Sequence, residues 1–191
     1  MEYKELLRSV SFPFVSQVHV AKHLELIHPD FLKQLSFSQQ SVFESFIGSK
    51  FKSQFAKTPT ELITKAIQFG KIESFLNREY SKLELQFSFN KKDYSAGIGW
   101  DTIIDISKIS TADDNNLTTS ERNGTVVNVF KSDQKIETNL LNMILHRNAN
   151  KWEVTTIFPG TMAPPLPNSF FKEDRSKEEA RIFWQNHAFV K

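Results

Sequence analysis

The spacing of apolar residues changes period near residue 80. Before it, Val18, Ala21, Leu24, Ile27, Phe31 and Leu35 recur at steps of three or four, which predicts helix over 17–35. Pro29 interrupts that stripe and either starts a second helix or kinks the first. A short helix is expected over 1–10, stopped near Pro13, and residues 36–57 read as a loop or short helix. Thr58-Pro59-Thr60-Glu61 joins a capping hydroxyl, a proline at the first helical position and a carboxylate that can close a capping box. The helix it opens is expected to reach Asn77 and to bury Leu62, Ala66, Phe69 and Phe75.

After residue 80 the pattern alternates. In 82–89, Leu83, Leu85, Phe87 and Phe89 are separated by polar residues, the mark of a half-buried strand. Further strands are expected at Thr102–Ile106 and Val126–Phe130, with 110–124 as a long polar loop between them. Asn139–Arg147 and Trp152–Phe158 form a hairpin around Asn148-Ala149-Asn150-Lys151, since Asn tolerates positive φ. Pro159-Gly160 ends it, and 163–168 is extended. Ser176-Lys177-Glu178-Glu179 is a capping box that opens a last helix through about His187. The expected fold class is α+β: N-terminal helices, then a twisted antiparallel sheet, then a C-terminal helix. It is read as a single domain over 1–191, with a helical part to about 80, a sheet over 82–160 and a Pro-rich extension with the terminal helix over 161–191.

Composition narrows this only a little. The 191 residues include 18 phenylalanines, so bulky rings carry much of the core. The formal charge of +2 gives no dense basic footprint for duplex nucleic acid, though it leaves room for a small local basic site. Cysteine is absent, which removes disulfides and thiolate chemistry. No apolar run approaches about 18 residues, no secretion signal is evident at the start, and no membrane association is expected. A cytoplasmic location, in the producing or a target cell, fits these features.

Chemistry concentrates in Val18-His19-Val20-Ala21-Lys22-His23. Two histidines four apart share a helix face, imidazole suits acid–base catalysis, and Lys22 can stabilise phosphate charge. Paired helical histidines also bind metals, but no Glu follows the first His as in zinc proteases. The same pair equally fits a surface or packing role. In Trp152–Pro159, Thr155 and Thr156 point to opposite sides of a strand, so one of them can hydrogen-bond a phosphate oxygen; threonine is also simply common in strands. Arg147 is a phosphate fork or a solvated strand end. His187 is read as a packed helix-end residue. No dinucleotide fingerprint, phosphate-binding loop or nucleophile elbow is present.

The order of the His19–His23 segment, the 55–67 segment and the pair Met143–Arg147 with Val154–Pro159 resembles the RNase A-like domains at the C-termini of bacterial contact-dependent inhibition toxins. It is also similar to the wider barnase–EndoU–colicin–RelE group of toxin ribonucleases, phage-associated members included. The resemblance covers about residues 17–160. It implies a metal-independent endoribonuclease that needs no cofactor, acts on RNA, transfer RNA being a candidate, spares DNA, and meets an immunity or antitoxin protein. It further implies His23 as the acid–base residue with His19 beside it, Thr156 on the scissile phosphate, and Lys22, Lys33, Thr155 and Arg147 on the substrate. The alternative is a non-catalytic protein-binding module derived from such a toxin. The family carries Tyr where this chain has Phe158, and the segment after Pro159 has no counterpart.

Overall fold

A computed structural model describes residues 10–70, 72, 76, 80–149, 151–167 and 174–191. Most of the helix expected over 1–10, together with Phe75, Asn77, Asn150 and Asn168, lies outside them. The architecture is α+β, with two compact units: Met1–Trp100 with Glu137–Gly160, and Asp101–Ile136 with Thr161–Lys191.

In the first unit, helix α1 (Phe14–Ala21) starts after Pro13 and buries Val20 and Ala21. Pro29 begins a separate four-residue helix, α2 (Pro29–Leu32), rather than kinking a long one. It stands where a proline lacks no needed N–H. The 36–57 stretch holds helix α3 (Phe37–Ser45), closed by a reciprocal Ser36–Gln39 capping box. Helix α4 (Pro59–Gly70) opens as its sequence signals: the Thr58 hydroxyl accepts from the Glu61 amide at 3.2 Å. The Glu61 carboxylate reaches one residue further back than a capping box does, to the Lys57 amide at 2.7 Å. Leu62, Ile63, Ala66 and Ile67 are buried, whereas Phe69, expected inside, is 55% exposed. It shares a face with Leu62 and Ala66 but stands in the last turn of the helix, and its ring leans on Phe89 at 4.9 Å.

The main sheet of this unit runs β1 (Val10–Ser11), β10 (Lys151–Pro159), β9 (Leu140–Asn148), β3 (Lys82–Ser88). β9 pairs antiparallel with both neighbours, but β1 runs parallel to β10, so the sheet is mixed. Leu83, Leu85, Leu141, Met143, Leu145, Val154 and Ile157 fill one face and join the helix residues in one core. Lys151 pairs with Asn148 across the turn, and Ala149 takes a positive φ of 52°. A bulge between Val154 and Thr156 shifts the β10 register. Beyond it, Thr156 faces Ile144 and Phe158 faces Asn142. A smaller sheet runs β2 (Lys50–Phe51), β4 (Gly99–Asp101), β8 (Ile136–Thr138).

The second unit is built on a sheet in the order β5 (Ile103–Asp105), β11 (His187–Val190), β7 (Thr125–Phe130), β6 (Leu117–Arg122). The strand expected over Thr102–Ile106 is thus β5 alone, preceded by the separate β4. Asp101 makes the break: its carboxylate accepts from the Ile103 amide at 3.0 Å and from the Thr161 amide and hydroxyl at 2.7 and 2.8 Å. The polar loop expected over 110–124 is instead a 3₁₀ turn (Thr111–Asn116) followed by β6 and a tight hairpin. Asn123 and Gly124 take φ of 50° and 75°, the conformation an Asn-Gly hairpin turn requires. Helix α5 (Asp174–Asn186) begins ahead of Ser176 and stops just before His187, which opens β11 opposite Asp105 of β5, while the parallel pairing of β11 with β7 starts at Ala188. His187 is packed as expected: its ring stacks on Phe183 at 3.9 Å and its Nδ1 lies 2.8 Å from the Phe183 carbonyl.

Candidate functional site

The first unit brings His19, Lys22 and His23 against the end of β10. Helix α1 closes at Ala21, so His19 is helical while His23 sits just past the Lys22 cap, in a turn closed by its amide on the Val20 carbonyl at 2.9 Å. The chain is then captured by β2, with the Phe51 amide on the His23 carbonyl at 2.6 Å and the Glu25 amide on the Phe51 carbonyl at 3.0 Å. The two imidazole rings remain neighbours, 6.3 Å apart and edge to face.

His23 is only 8% exposed. Its Nδ1 lies 2.8 Å from the Ser49 carbonyl, which can only accept, so Nδ1 carries the proton and Nε2 is the lone-pair nitrogen. Phe46 meets the ring edge-on at 4.9 Å and Phe158 lies tilted at 5.9 Å. Burial, with smaller contributions from Lys22, His19 and Lys50, pushes the imidazole down to about 3 against the stabilising Ser49 bond. His23 is therefore neutral at physiological pH. His19 is less buried; burial first, then Lys22, lower it as well. Lys22 Nζ lies 3.4 Å from His19 Nδ1, and since the ammonium can only donate, Nδ1 accepts and the His19 proton is on Nε2. Lys22 also stands over the Phe46 ring at 5.0 Å, and burial lowers its own pKa.

Thr156 stands two residues before Phe158, so alternation puts both on the β10 face opposite the core residue Ile157. Its hydroxyl has no partner among the described residues. Thr155, at the bulge, donates its hydroxyl to the Ile144 carbonyl at 3.1 Å. Asn142, fully buried, fixes the strand end: its amide donates to the Gly160 carbonyl at 2.6 Å and its oxygen accepts from Gln86 at 2.9 Å. Lys33 is held by Asp30 at 2.8 Å on the exposed end of α2. Arg147 lies at the hairpin end of β9, opposite Trp152 and several rungs from the Phe158–Asn142 pair.

Four residues that shape this place were absent from the sequence reading: Phe46, Ser49, Asn142 and Gln86. The only signal for the first two was Phe46-Ile47-Gly48, an aromatic and a glycine just past a helix end. Among the described residues no group of three His, Asp or Glu side chains is placed to hold a metal ion, and no helix is long and apolar enough to cross a membrane. The second unit has a separate cleft of about 780 Å³, floored by Ile104, Ile109 and Phe130 and bordered by Lys108, Lys131 and Lys191.

No protein family and no curated protein matches this chain. Among solved structures, one chain of the crystal structure of a CdiA-CT/CdiI complex from Y. kristensenii is similar over 74% of this chain and 97% of its own, at 16% identity and a TM-score of 0.34.

Proposed function

We propose that the first unit is a metal-independent, toxin-type endoribonuclease centred on His19, Lys22, His23 and Thr156. The observation that carries this reading is the meeting of the His19/Lys22/His23 cluster with the Phe158 end of the strand that bears Thr156. His23 Nε2, unprotonated, takes the proton of a ribose 2′-hydroxyl. The 2′-oxygen bonds to the adjacent phosphorus and the bond to the 5′-oxygen breaks. His19 delivers a proton to that leaving oxygen. It can do so because an arriving phosphate draws Lys22 away from Nδ1 and favours the imidazolium. Lys22 and the Thr156 hydroxyl neutralise the charge that builds on the phosphorane. RNA is the substrate and DNA, without the 2′-hydroxyl, is spared. Thr155, Lys33 and Arg147 have supporting parts at most: Thr155 shapes the bulge, and the two cations contact the RNA strand away from the reacting phosphate. An immunity or antitoxin protein would have to cover this cluster.

The test is incubation of the purified chain with total RNA and transfer RNA in EDTA. Fragments ending in 2′,3′-cyclic phosphate are expected. His19→Ala and His23→Ala should each lower the rate about 10²- to 10⁴-fold, the ordinary worth of a positioned acid or base. Intact RNA, or cleavage indifferent to both substitutions, overturns the mechanism.

A second reading has its own support. His23 is buried and Phe158 carries no hydroxyl, which also suits a toxin-derived module that binds a protein without catalysis. A stoichiometric protein partner recovered alongside inert RNA would favour it.

A further inference from the structure

The ribonuclease reading needs His23 to meet substrate, yet Phe46 stands in the way. Phe46 follows α3 directly, with an extended φ of −73° and ψ of 114°, and the chain then turns back toward β2. Its ring lies edge-on to His23 at 4.9 Å and under the Lys22 ammonium at 5.0 Å. One residue later Ile47 is 94% exposed, so the segment presents an apolar side chain to water while it hides a polar one. Gly48 makes the fold-back possible: a Cβ there would lie 2.2 Å from the tip of the Phe46 ring. The amides of Ile47, Gly48 and Ser49 make no backbone hydrogen bond among the described residues. The segment is held by the ring contacts of Phe46 and by the Ser49 carbonyl on His23 Nδ1.

From this we propose that Phe46–Ser49 is a displaceable cover on His23, with Phe46 as its plug, and that a phosphate-bearing strand drawn to Lys22 moves it aside. The cover and the phosphate compete for one group. The Lys22 ammonium that holds the Phe46 ring by a cation–π contact worth about 0.5–2 kcal/mol is the nearest cation to both histidines, and a phosphate offers it a stronger partner. Once Lys22 turns to the phosphate, the plug loses that cation–π contact. Apart from the cover's own existence, which the geometry of this segment carries, the identity of the displacing strand as RNA rests on the ribonuclease reading above.

Two variants loosen the cover by different routes. Phe46→Ala removes the plug, and Gly48→Ala keeps the ring but denies it the space over residue 48. Reaction with diethyl pyrocarbonate, read at each histidine by peptide mapping, reports access to His23 with no reference to catalysis, and His19 serves as an internal standard. In the unaltered chain His23 should react at least about tenfold more slowly than His19. In both variants the two rates should converge, and inorganic phosphate or a 3′-nucleotide should bring the unaltered chain part of the way. Equal reactivity of His23 in all three proteins, whether slow or fast, overturns the proposal, with thermal melts confirming that the variants are folded. If His23 becomes reactive in the variants and RNA stays intact throughout, the cover stands and the ribonuclease reading falls. If RNA is cut at the same rate by all three while His23 reactivity does not change, the cover falls and the ribonuclease reading stands.

Discussion

Acid should unfold the first unit through His23 in particular. Its folded pKa is pushed down to about 3, whereas an exposed histidine titrates near 6.5. Between those values the unfolded chain binds a proton that the folded one refuses, so the contribution of His23 to stability is complete above 6.5 and is lost as pH falls toward 3. Integrating the difference from pH 7 to 4.5 gives about 2.5 kcal/mol, a large part of an ordinary domain's 5–15 kcal/mol. Asparagine provides the control. Its side-chain amide reaches roughly where Nδ1 stands, can still donate to the Ser49 carbonyl, and does not titrate. Urea unfolding should be followed by tryptophan fluorescence in a Trp184→Phe background, which leaves Trp100 and Trp152 to report on the first unit. All other carboxylates and histidines are shared by the two proteins, so their contributions cancel. The expected result is that His23→Asn starts less stable at pH 7 but loses about 2.5 kcal/mol less on acidification. Parallel stability-versus-pH curves would refute the claim that His23 is buried and neutral.

Other outcomes follow from single contacts. Gly124→Ala should cost the second unit about 1 kcal/mol in thermal or urea melts: φ is 75° there, but a Cβ meets nothing within 4 Å, so the cost is backbone strain without a clash. Asp101→Ala should cost that unit about 2–3 kcal/mol, because it orphans the Thr161 amide and hydroxyl and the Ile103 amide; Asp101→Ser, which restores one acceptor, should recover part of it in the same melt. Thr155→Val should lower first-unit stability by about 1 kcal/mol, through the hydroxyl bond to Ile144, whereas Thr156→Val should leave the urea midpoint in place and reduce RNA cleavage.

What could be read from the sequence was what local chemistry specifies. Thr58-Pro59-Thr60-Glu61 starts α4 because its cap residues act on their own amides, and the Asn-bearing turn between two strand-like segments marks the β9–β10 hairpin. Asn123-Gly124 was legible too, and was passed over because it sits in a polar stretch: β6 is an edge strand with little to bury, so hydrophobic alternation gives no sign of it. Ala149 could not have been foreseen at positive φ, since the hairpin register, not residue preference, imposes that conformation. The parallel pairings of β1 and β11 join residues 142 and 60 positions apart, which no local pattern encodes. In the site, the i, i+4 histidine spacing was legible, but burial was not. His23 is hidden by Phe46 and by the Ser49 carbonyl, brought from 26 residues away through the short pairing of β2.

That burial changes which histidine is chemically ready. A base with a pKa near 3 carries the right lone pair at neutral pH but pulls weakly on a hydroxyl proton, because proton transfer is most efficient when the two pKa values are matched. His19 is lowered in the same direction, by burial first and then by Lys22, but it is less buried than His23. A ribonuclease built on this pair would rest in a low-activity form and gain its base when the Phe46 contact opens, for burial is the largest cause of the depression and the Phe46 ring is one of the groups packed on the imidazole. Phe158 acts in the same direction, since it packs on His23 at 5.9 Å and carries no hydroxyl. Adding a hydroxyl with Phe158→Tyr therefore separates the two readings of the site. In a catalytic unit it should raise RNA cleavage with His23 and Lys22 unchanged, whereas in a binding module it adds only a polar atom beside a buried ring and leaves RNA intact.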